Sequence, residues 1–163
     1  MEASAVRDLK PATIPAADAR LEAWRALISA HASLVARVEE ALADDNLPPL
    51  AWYDVLCALD RAEGPGLRPR ELGLHLTISK SGLTRLVDRI VAAGLIERRA
   101  CDADRRGHVI VLTDSGRAML REMEPAFAAA HETLFASQLS EEEARMLGAL
   151  LNRLQESACS TAC

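Results

Sequence analysis

Apolar residues recur at helical spacing through the first third of the chain. Between residues 15 and 44 they share one wide face of a predicted helix about eight turns long: Leu21, Trp24, Leu27, Ile28, Leu34, Val35, Val38 and Leu42. Pro15 suits the first turn of this helix, and the run Asn-Leu-Pro-Pro at 46–49 ends it. A second helix is predicted over 49–62, with four apolar side chains inward: Trp52, Val55, Leu56 and Leu59.

The middle of the chain carries the pattern of two short helices joined by a tight connection. The first helix is predicted over 68–76, and the second begins after the cap residue Ser79 and runs to Ala93. Gly94 follows, at the position where a helix often ends in the left-handed conformation. The second helix has an apolar stripe that anchors it to a core: Leu83, Leu86, Val87 and Ile90.

A hairpin is predicted directly after Gly94. Its strands cover 95–99 and 108–112, and the charged segment 101–107 forms the turn between them. A helix, a tight turn, a second helix and a charged hairpin together indicate a winged helix-turn-helix.

Two more helices are predicted in the last third of the chain. One runs from about Thr113 to Phe135, with an apolar side formed by Met119, Leu120, Met123, Phe127 and Leu134. The segment from Ser140 to Glu143 is a capping box that opens the last helix. The apolar stripe of that helix comprises Met146, Leu147, Leu150, Leu151 and Leu154.

The long helices at both ends carry more apolar surface than a small winged module can cover. Patches of that size are rare on soluble monomers, and a two-fold partner removes them. We therefore expect a homodimer and a mainly α fold with a small β-hairpin wing, in which a winged helix-turn-helix is combined with a helical dimerisation domain. Packing of all three helices within one copy remains the alternative.

The predicted organisation has five parts along the chain. They are a flexible arm at 1–13, an N-terminal dimerisation helix at 14–48, a winged helix-turn-helix DNA-binding domain at 49–112, C-terminal dimerisation helices at 113–159 and a tail at 160–163.

Composition excludes several other classes of protein. Of the 163 residues, 50% are hydrophobic and 26% are charged, as in a globular chain. No apolar run approaches the roughly 18–20 residues of a membrane span, and acidic residues interrupt the positions where an export signal would be apolar. The four cysteines lack zinc-ligand spacing. We expect a cytoplasmic protein that needs no membrane, metal or cofactor.

Charge is distributed unevenly along the chain. The formal net charge is −5, yet residues 68–106 contain nine basic and five acidic side chains and carry +4, which leaves −9 on the rest. A basic segment within an acidic chain is typical of a module that docks on phosphate.

The second helix of the pair and the hairpin carry the candidate DNA contacts. Small or basic residues opposite the apolar stripe suit an approach to phosphates and base edges in the major groove: Ser79, Lys80, Ser81, Thr84, Arg85 and Arg89. Arg105 and Arg106 lie in the predicted turn, from which they can reach an adjacent minor groove. Asp104 has the wrong sign for phosphate and is expected to bond the turn backbone or to orient these arginines.

These motifs resemble those of the MarR family of transcriptional regulators. The segments that carry the resemblance are Glu71-Leu72, Ser79 with Thr84 to Arg89, Gly94 to Arg99, Asp102 to Arg106, and Leu112 to Arg117. The resemblance implies a triangular homodimer whose first and last two helices intertwine and whose two winged modules bind a pseudo-palindromic duplex. It also implies that the helix residues named above face DNA and that Arg106 enters the minor groove.

The same resemblance implies a small anionic effector, often aromatic or phenolic, bound between the dimerisation helices and the winged module. An arginine with nearby aromatic rings suits such a ligand, and the candidates are Arg20, Trp24, His31, Trp52 and Tyr53. Two alternatives remain open, because tryptophans at helical spacing also build cores and His31 also suits a subunit interface. Asp54 and Arg98 are expected to form a salt link that steadies the wing.

The sequence therefore predicts a sequence-specific transcriptional regulator, in the form of a repressor that an effector releases from DNA. Its expected partners are a double-stranded operator, a second copy of itself and a small-molecule effector. An enzyme is not expected, since the chain shows no phosphate loop, metal cluster or nucleophile–base set. Two alternatives are a winged-helix interaction module that does not bind DNA and a regulator without an effector.

Overall fold

The structure, a computed structural model, describes residues 18–64, 66–74, 76, 80–101 and 104–160. Within them, six α-helices and a short 3-10 turn accompany one two-stranded antiparallel hairpin. The helices are α1 (Ala19–Asp44), α2 (Leu50–Asp60), α3 (Pro69–Leu72), α4 (Lys80–Ala92), α5 (Asp114–Leu134) and α6 (Glu141–Ser160), and the strands are β1 (Ile96–Cys101) and β2 (Asp104–Leu112). The predicted mainly α fold with a small hairpin is confirmed.

Helix α3 is shorter than the sequence pattern predicts. It ends at Leu72, and Gly73 takes the cap position, where its N–H still donates to the carbonyl oxygen of Pro69 over 3.0 Å. Glycine has a low preference for continuing a helix, which explains the early end.

The hairpin is longer than predicted, and most of the charged segment 101–107 belongs to its strands. The ladder runs from the pair Ile96–Leu112 to the pair Cys101–Asp104, with one irregularity after Ala100. Charged side chains do not prevent strand pairing, because the hydrogen bonds of the ladder join backbone groups and alternate side chains remain in solvent.

Two local signals in the sequence act as expected. Gly94 adopts a φ of 74° directly after α4, the left-handed conformation that glycine adopts without steric conflict. At the start of α6, the N–H of Glu143 donates to the Ser140 hydroxyl over 3.3 Å, and the N–H of Ser140 donates to the Glu143 carboxylate over 2.8 Å. The bonds from Ser140 lower the pKa of Glu143.

The described residues belong to two compact units. One unit lies within Met1–Leu34 and Glu132–Cys163, and the other is Val35–His131. The buried core cluster belongs to the second unit, and its most deeply buried side chains are Leu42, Val55, Leu56, Leu72, Ile90, Ile96, Ile110 and Met123. The second unit therefore holds the helix-turn-helix and the wing around one apolar core.

The described part of the first unit lacks a buried core. Among its described residues none is buried, and several large apolar side chains face solvent: Trp24, Ile28, Met146, Leu150, Leu151 and Leu154. Trp24 is 61% exposed and Leu154 is 56% exposed. The apolar stripes predicted on the first part of α1 and on α6 are thus uncovered in a single chain.

Candidate nucleic-acid interface

Helix α4 divides into a buried face and an exposed face. Its buried face is the predicted stripe of Leu83, Leu86, Val87 and Ile90. The exposed positions recur three or four residues apart along the other side: Ser81, Thr84, Arg85, Asp88 and Arg89. Lys80 begins the helix, and Ser79 lies outside the described residues. Four predicted contact residues, Ser81, Thr84, Arg85 and Arg89, therefore share one accessible surface.

Asp88 lies on the same surface and is absent from the predicted contacts. Its carboxylate accepts a hydrogen bond from Nη2 of Arg98 on β1 over 2.6 Å. Helical spacing is the signal that could have placed it, because Asp88 follows Thr84 by one turn. The expected salt link between Asp54 and Arg98 is wrong, since the described ion pair of Arg98 is with Asp88.

Alternation along β1 explains why Arg98 reaches α4. Side chains two residues apart lie on the same face of a strand, so Arg98 shares a face with the buried Ile96. Glu97 and Arg99 lie on the opposite face and pair with each other over 2.5 Å. The face of β1 that packs on the core thus carries one arginine toward α4.

Asp54 belongs with the start of α2 and not with the wing. Loss of surrounding water raises the pKa of Asp54 above its ordinary value, and the Glu39 carboxylate raises it further. Glu39 also accepts a hydrogen bond from the backbone N–H of Leu50 over 3.1 Å, at the first residue of α2. The physical reason for the failed prediction is that β1 places Arg98 beside α4, where Asp88 supplies the carboxylate.

The three wing residues named from the sequence lie on β2. Arg105 and Arg106 belong to this strand instead of to a turn, and Asp104 pairs with Cys101 in the ladder. The contacts of their side chains with DNA, and the role of Asp104 in orienting them, stay predictions.

Backbone hydrogen bonds tie the wing to the rest of its unit. Leu67 and Ile110 exchange two such bonds, over 3.0 and 2.8 Å, so that residue 67 adds a bridge beside β2. At the base of the hairpin itself, the N–H of Thr113 donates to the carbonyl oxygen of Leu95 over 3.1 Å. The wing is therefore joined to the segment before α3 through Leu67, and its own two ends are held together at Thr113.

The predicted effector residues fall into two sets. Three lie on α1 in the first unit and two lie on α2 in the second unit: Arg20, Trp24 and His31, then Trp52 and Tyr53. Tyr53 is buried and stacks on Phe127, with ring centroids 4.3 Å apart, and burial is the main cause that raises its pKa. Trp52 packs half-buried against the core, and within the described chain its buried Nε1 has no hydrogen-bond partner.

Two further classes of site, a membrane span and a metal centre, have no counterpart among the described residues. None of the helices it describes has an apolar stretch that could cross a bilayer. Among the described residues, no group of three or more His, Cys, Asp or Glu is placed to hold a metal ion. Cys57 lies half-buried against the core, and burial is the main cause that raises the pKa of its thiol.

A short helix, a second helix with one exposed polar face and a hairpin that follows at once define a winged helix-turn-helix protein. A family model described as MarR family matches residues 45–107. A solved structure of Sco3205, a MarR family transcriptional regulator from Streptomyces coelicolor in complex with DNA, is similar with a TM-score of 0.81 and 28% identity, over 90% of this chain and 91% of that chain. The segment 45–107 thus matches the MarR family, and the fold is similar to that of MarR family transcriptional regulators.

Two relatives of known name are similar in part. The transcriptional regulator PecS of Dickeya dadantii is 34% identical over 105 residues, which cover 64% of this chain and 63% of that protein. The transcriptional repressor MprA of Escherichia coli is 37% identical over 73 residues, which cover 45% of this chain and 42% of that protein. The aligned segments thus span less than two thirds of either relative.

Proposed function

We propose that the protein is a transcriptional regulator that binds a pseudo-palindromic DNA operator as a homodimer. The observation that carries the proposal is the division of α4, whose apolar face is held in the core while Arg85 and Arg89 are exposed. A helix anchored in this way can enter the major groove without disturbing the core. The DNA complex of Sco3205 supports this function.

The proposed roles follow from position and chemistry. The start of α4, with Ser79, Lys80 and Ser81, approaches phosphates, because the N-terminal end of a helix favours anions. Thr84, Arg85 and Arg89 read base edges, and a bidentate arginine–guanine pair gives the strongest discrimination. Arg105 and Arg106 of β2 contact the adjacent minor groove, where the negative potential attracts arginine.

Homodimerisation is proposed from the uncovered surfaces of the first unit. Trp24 and Ile28 lie one turn apart on α1, and Leu150 and Leu154 lie one turn apart on α6. Burial of such side chains supplies about 25 cal/mol for each Å² removed from water. A second copy offers the same stripes and would place two recognition helices on successive turns of one duplex. The helices assigned from sequence to dimerisation, within 14–48 and 113–159, keep that role in this proposal.

Repression and release by an effector complete the proposal. The relative MprA is named a transcriptional repressor, which supports repression as the direction of regulation. The candidate effector residues stay those proposed from the sequence, Arg20, Trp24, His31, Trp52 and Tyr53, because a cation and aromatic rings suit an aromatic or phenolic anion. We propose that the regulator acts in the cytoplasm, where it would meet its operator.

Selection from a library of random duplexes tests DNA binding directly. We expect an enriched inverted repeat whose half-sites are centred about 10 base pairs apart, and an affinity that falls steeply with salt. Absence of both an enriched sequence and salt-dependent binding would instead support the interaction-module alternative.

For the effector, 4-hydroxybenzoate is the probe, and release of the selected duplex is the expected result. A duplex that stays bound with this and related phenolic acids would support a regulator without an effector.

A further inference from the structure

An acidic residue lies on the surface of α4 that is proposed to meet DNA. Asp88 follows Thr84 by one helical turn and directly precedes Arg89, and all three are exposed. A carboxylate at this position repels a nearby phosphate. The Asp88 carboxylate is therefore negative on a surface that is proposed to bind negative phosphates.

Arg98 compensates this charge from the neighbouring strand. Its Nη2 donates to Oδ1 of Asp88 over 2.6 Å, and both side chains remain accessible, Arg98 to 37% and Asp88 to 56%. Ion pairs this exposed contribute little to folding stability. Stabilisation of the fold is thus a weak explanation for the pair.

The position of Arg98 gives the pair a different consequence. The backbone places this arginine at the junction of α4 and the wing, because it shares a strand face with the buried Ile96. A guanidinium forms charge-assisted hydrogen bonds with carboxylate or with phosphate, so the two anions compete for it. A guanidinium that Asp88 holds is less available to the DNA backbone.

We propose that Asp88 occupies the guanidinium of Arg98 in place of a DNA phosphate and thereby limits sequence-independent binding to DNA. The proposal rests on the DNA-binding function proposed above. Asp88 is a positioning residue in it, because it acts through Arg98. Weak sequence-independent binding matters to a regulator, since competing genomic sites greatly outnumber operators.

The number of phosphate contacts is measured by the salt dependence of binding to a scrambled duplex of about 30 base pairs. Asp88→Asn is expected to steepen the slope of log affinity against log salt by about 0.9, a further loss of about threefold between 50 and 200 mM. Arg98→Gln is expected to keep the wild-type slope, because Arg98 contacts no phosphate in the native protein. The double variant should also keep it.

Glu97→Gln is the matched control, because it removes a carboxylate from the exposed pair on the other face of β1. The inference is overturned if Arg98→Gln flattens the slope, if Glu97→Gln steepens it as Asp88→Asn does, or if the double variant steepens it. A wild-type protein that binds no duplex at low salt contradicts the proposed function instead. Circular dichroism reports whether each variant folds, and Asp88→Ala repeats the measurement with a residue that favours helix.

Discussion

The carbonyl oxygen of Leu95, at the entrance to the wing, lies against Gly116 in the first turn of α5. The hydroxyl of Thr113 lies 2.9 Å from the same oxygen and accepts the N–H of Gly116 over 3.0 Å. A Cβ built on Gly116 would overlap this oxygen and would lie 2.7 Å from Cδ1 of Leu112. The start of the wing and the start of α5 are therefore in direct backbone contact, which only a residue without a side chain permits.

Gly116→Ala is expected to destabilise the protein, because the added methyl group must displace the backbone at Leu95. Overpacking of this kind costs about 1–3 kcal/mol, measured as the free energy of unfolding in urea. Gly148→Ala is the control, because within one chain a Cβ at this α6 position meets nothing within 4 Å. Alanine favours a helix over glycine by about 0.5–1 kcal/mol, so the control should be neutral or more stable. Equal losses in both variants would contradict the backbone contact.

Arg85→Ala and Arg89→Ala are expected to weaken operator binding and to relax base preference. If the arginine forms a bidentate pair with guanine, its loss costs about 1–3 kcal/mol, confined to one position of each half-site. The measurement is the affinity for a set of duplexes with single substitutions. An unchanged base preference at every position would show that neither arginine reads base edges.

Arg106→Ala is expected to weaken binding to all duplexes by a similar factor. Loss of one phosphate or minor-groove contact should also reduce the slope of log affinity against log salt by about 0.9. Arg121→Ala provides a comparison, since Arg121 is an exposed arginine of α5 outside the wing. A reduction of equal size in both variants would show an effect of net charge and not of the wing.

Leu154→Glu is expected to shift the protein toward monomers, because it places a charge within the apolar stripe of α6 that a second copy is proposed to cover. Asn152→Glu makes the same change of charge at an exposed polar position of the same helix and should leave the dimer intact. Sedimentation velocity at several protein concentrations distinguishes the two. Identical behaviour of the variants would place the interface elsewhere.

Asp54→Asn is expected to change how stability depends on pH. The folded state raises the pKa of Asp54 above its ordinary value of 3.8, so the folded state holds this proton more tightly than the unfolded state does. Stability is therefore lost as the pH rises from 3.8 through the folded pKa, and the asparagine variant avoids that loss. Urea unfolding at a series of pH values should show that the variant has a higher free energy of unfolding than the wild type at pH values above this window. A difference that stays constant from pH 3 to 7 would exclude titration as its cause.

Local patterns in the sequence predicted most of the fold. The stripe from Leu83 to Ile90 is buried as expected, because its spacing depends only on the geometry of a single helix. Gly94 and Ser140 also act as predicted, since a cap involves residues within about one turn. The end of α3 and the length of the hairpin were wrong, because strand pairing and helix ends respond to neighbours as well as to the local pattern.

The candidate site was predicted less completely than the fold. The sequence indicated the basic residues of α4, because they lie opposite its apolar stripe. It did not identify Asp88 as the partner of Arg98, since ten positions separate them along the chain and a turn brings them together. Tyr53, assigned to the effector, is buried against Phe127, a contact that depends on the packing of α2 on α5.

By itself, the sequence determined which segments become helices and strands, which face of α4 is apolar and where positive charge concentrates. These properties depend on spacing over a few residues and on local backbone preference. Only the tertiary structure decided that Arg98 pairs with Asp88 and that Leu95 rests on Gly116. Both contacts join elements whose separation and direction are set by the packing of a common core, which no local pattern encodes.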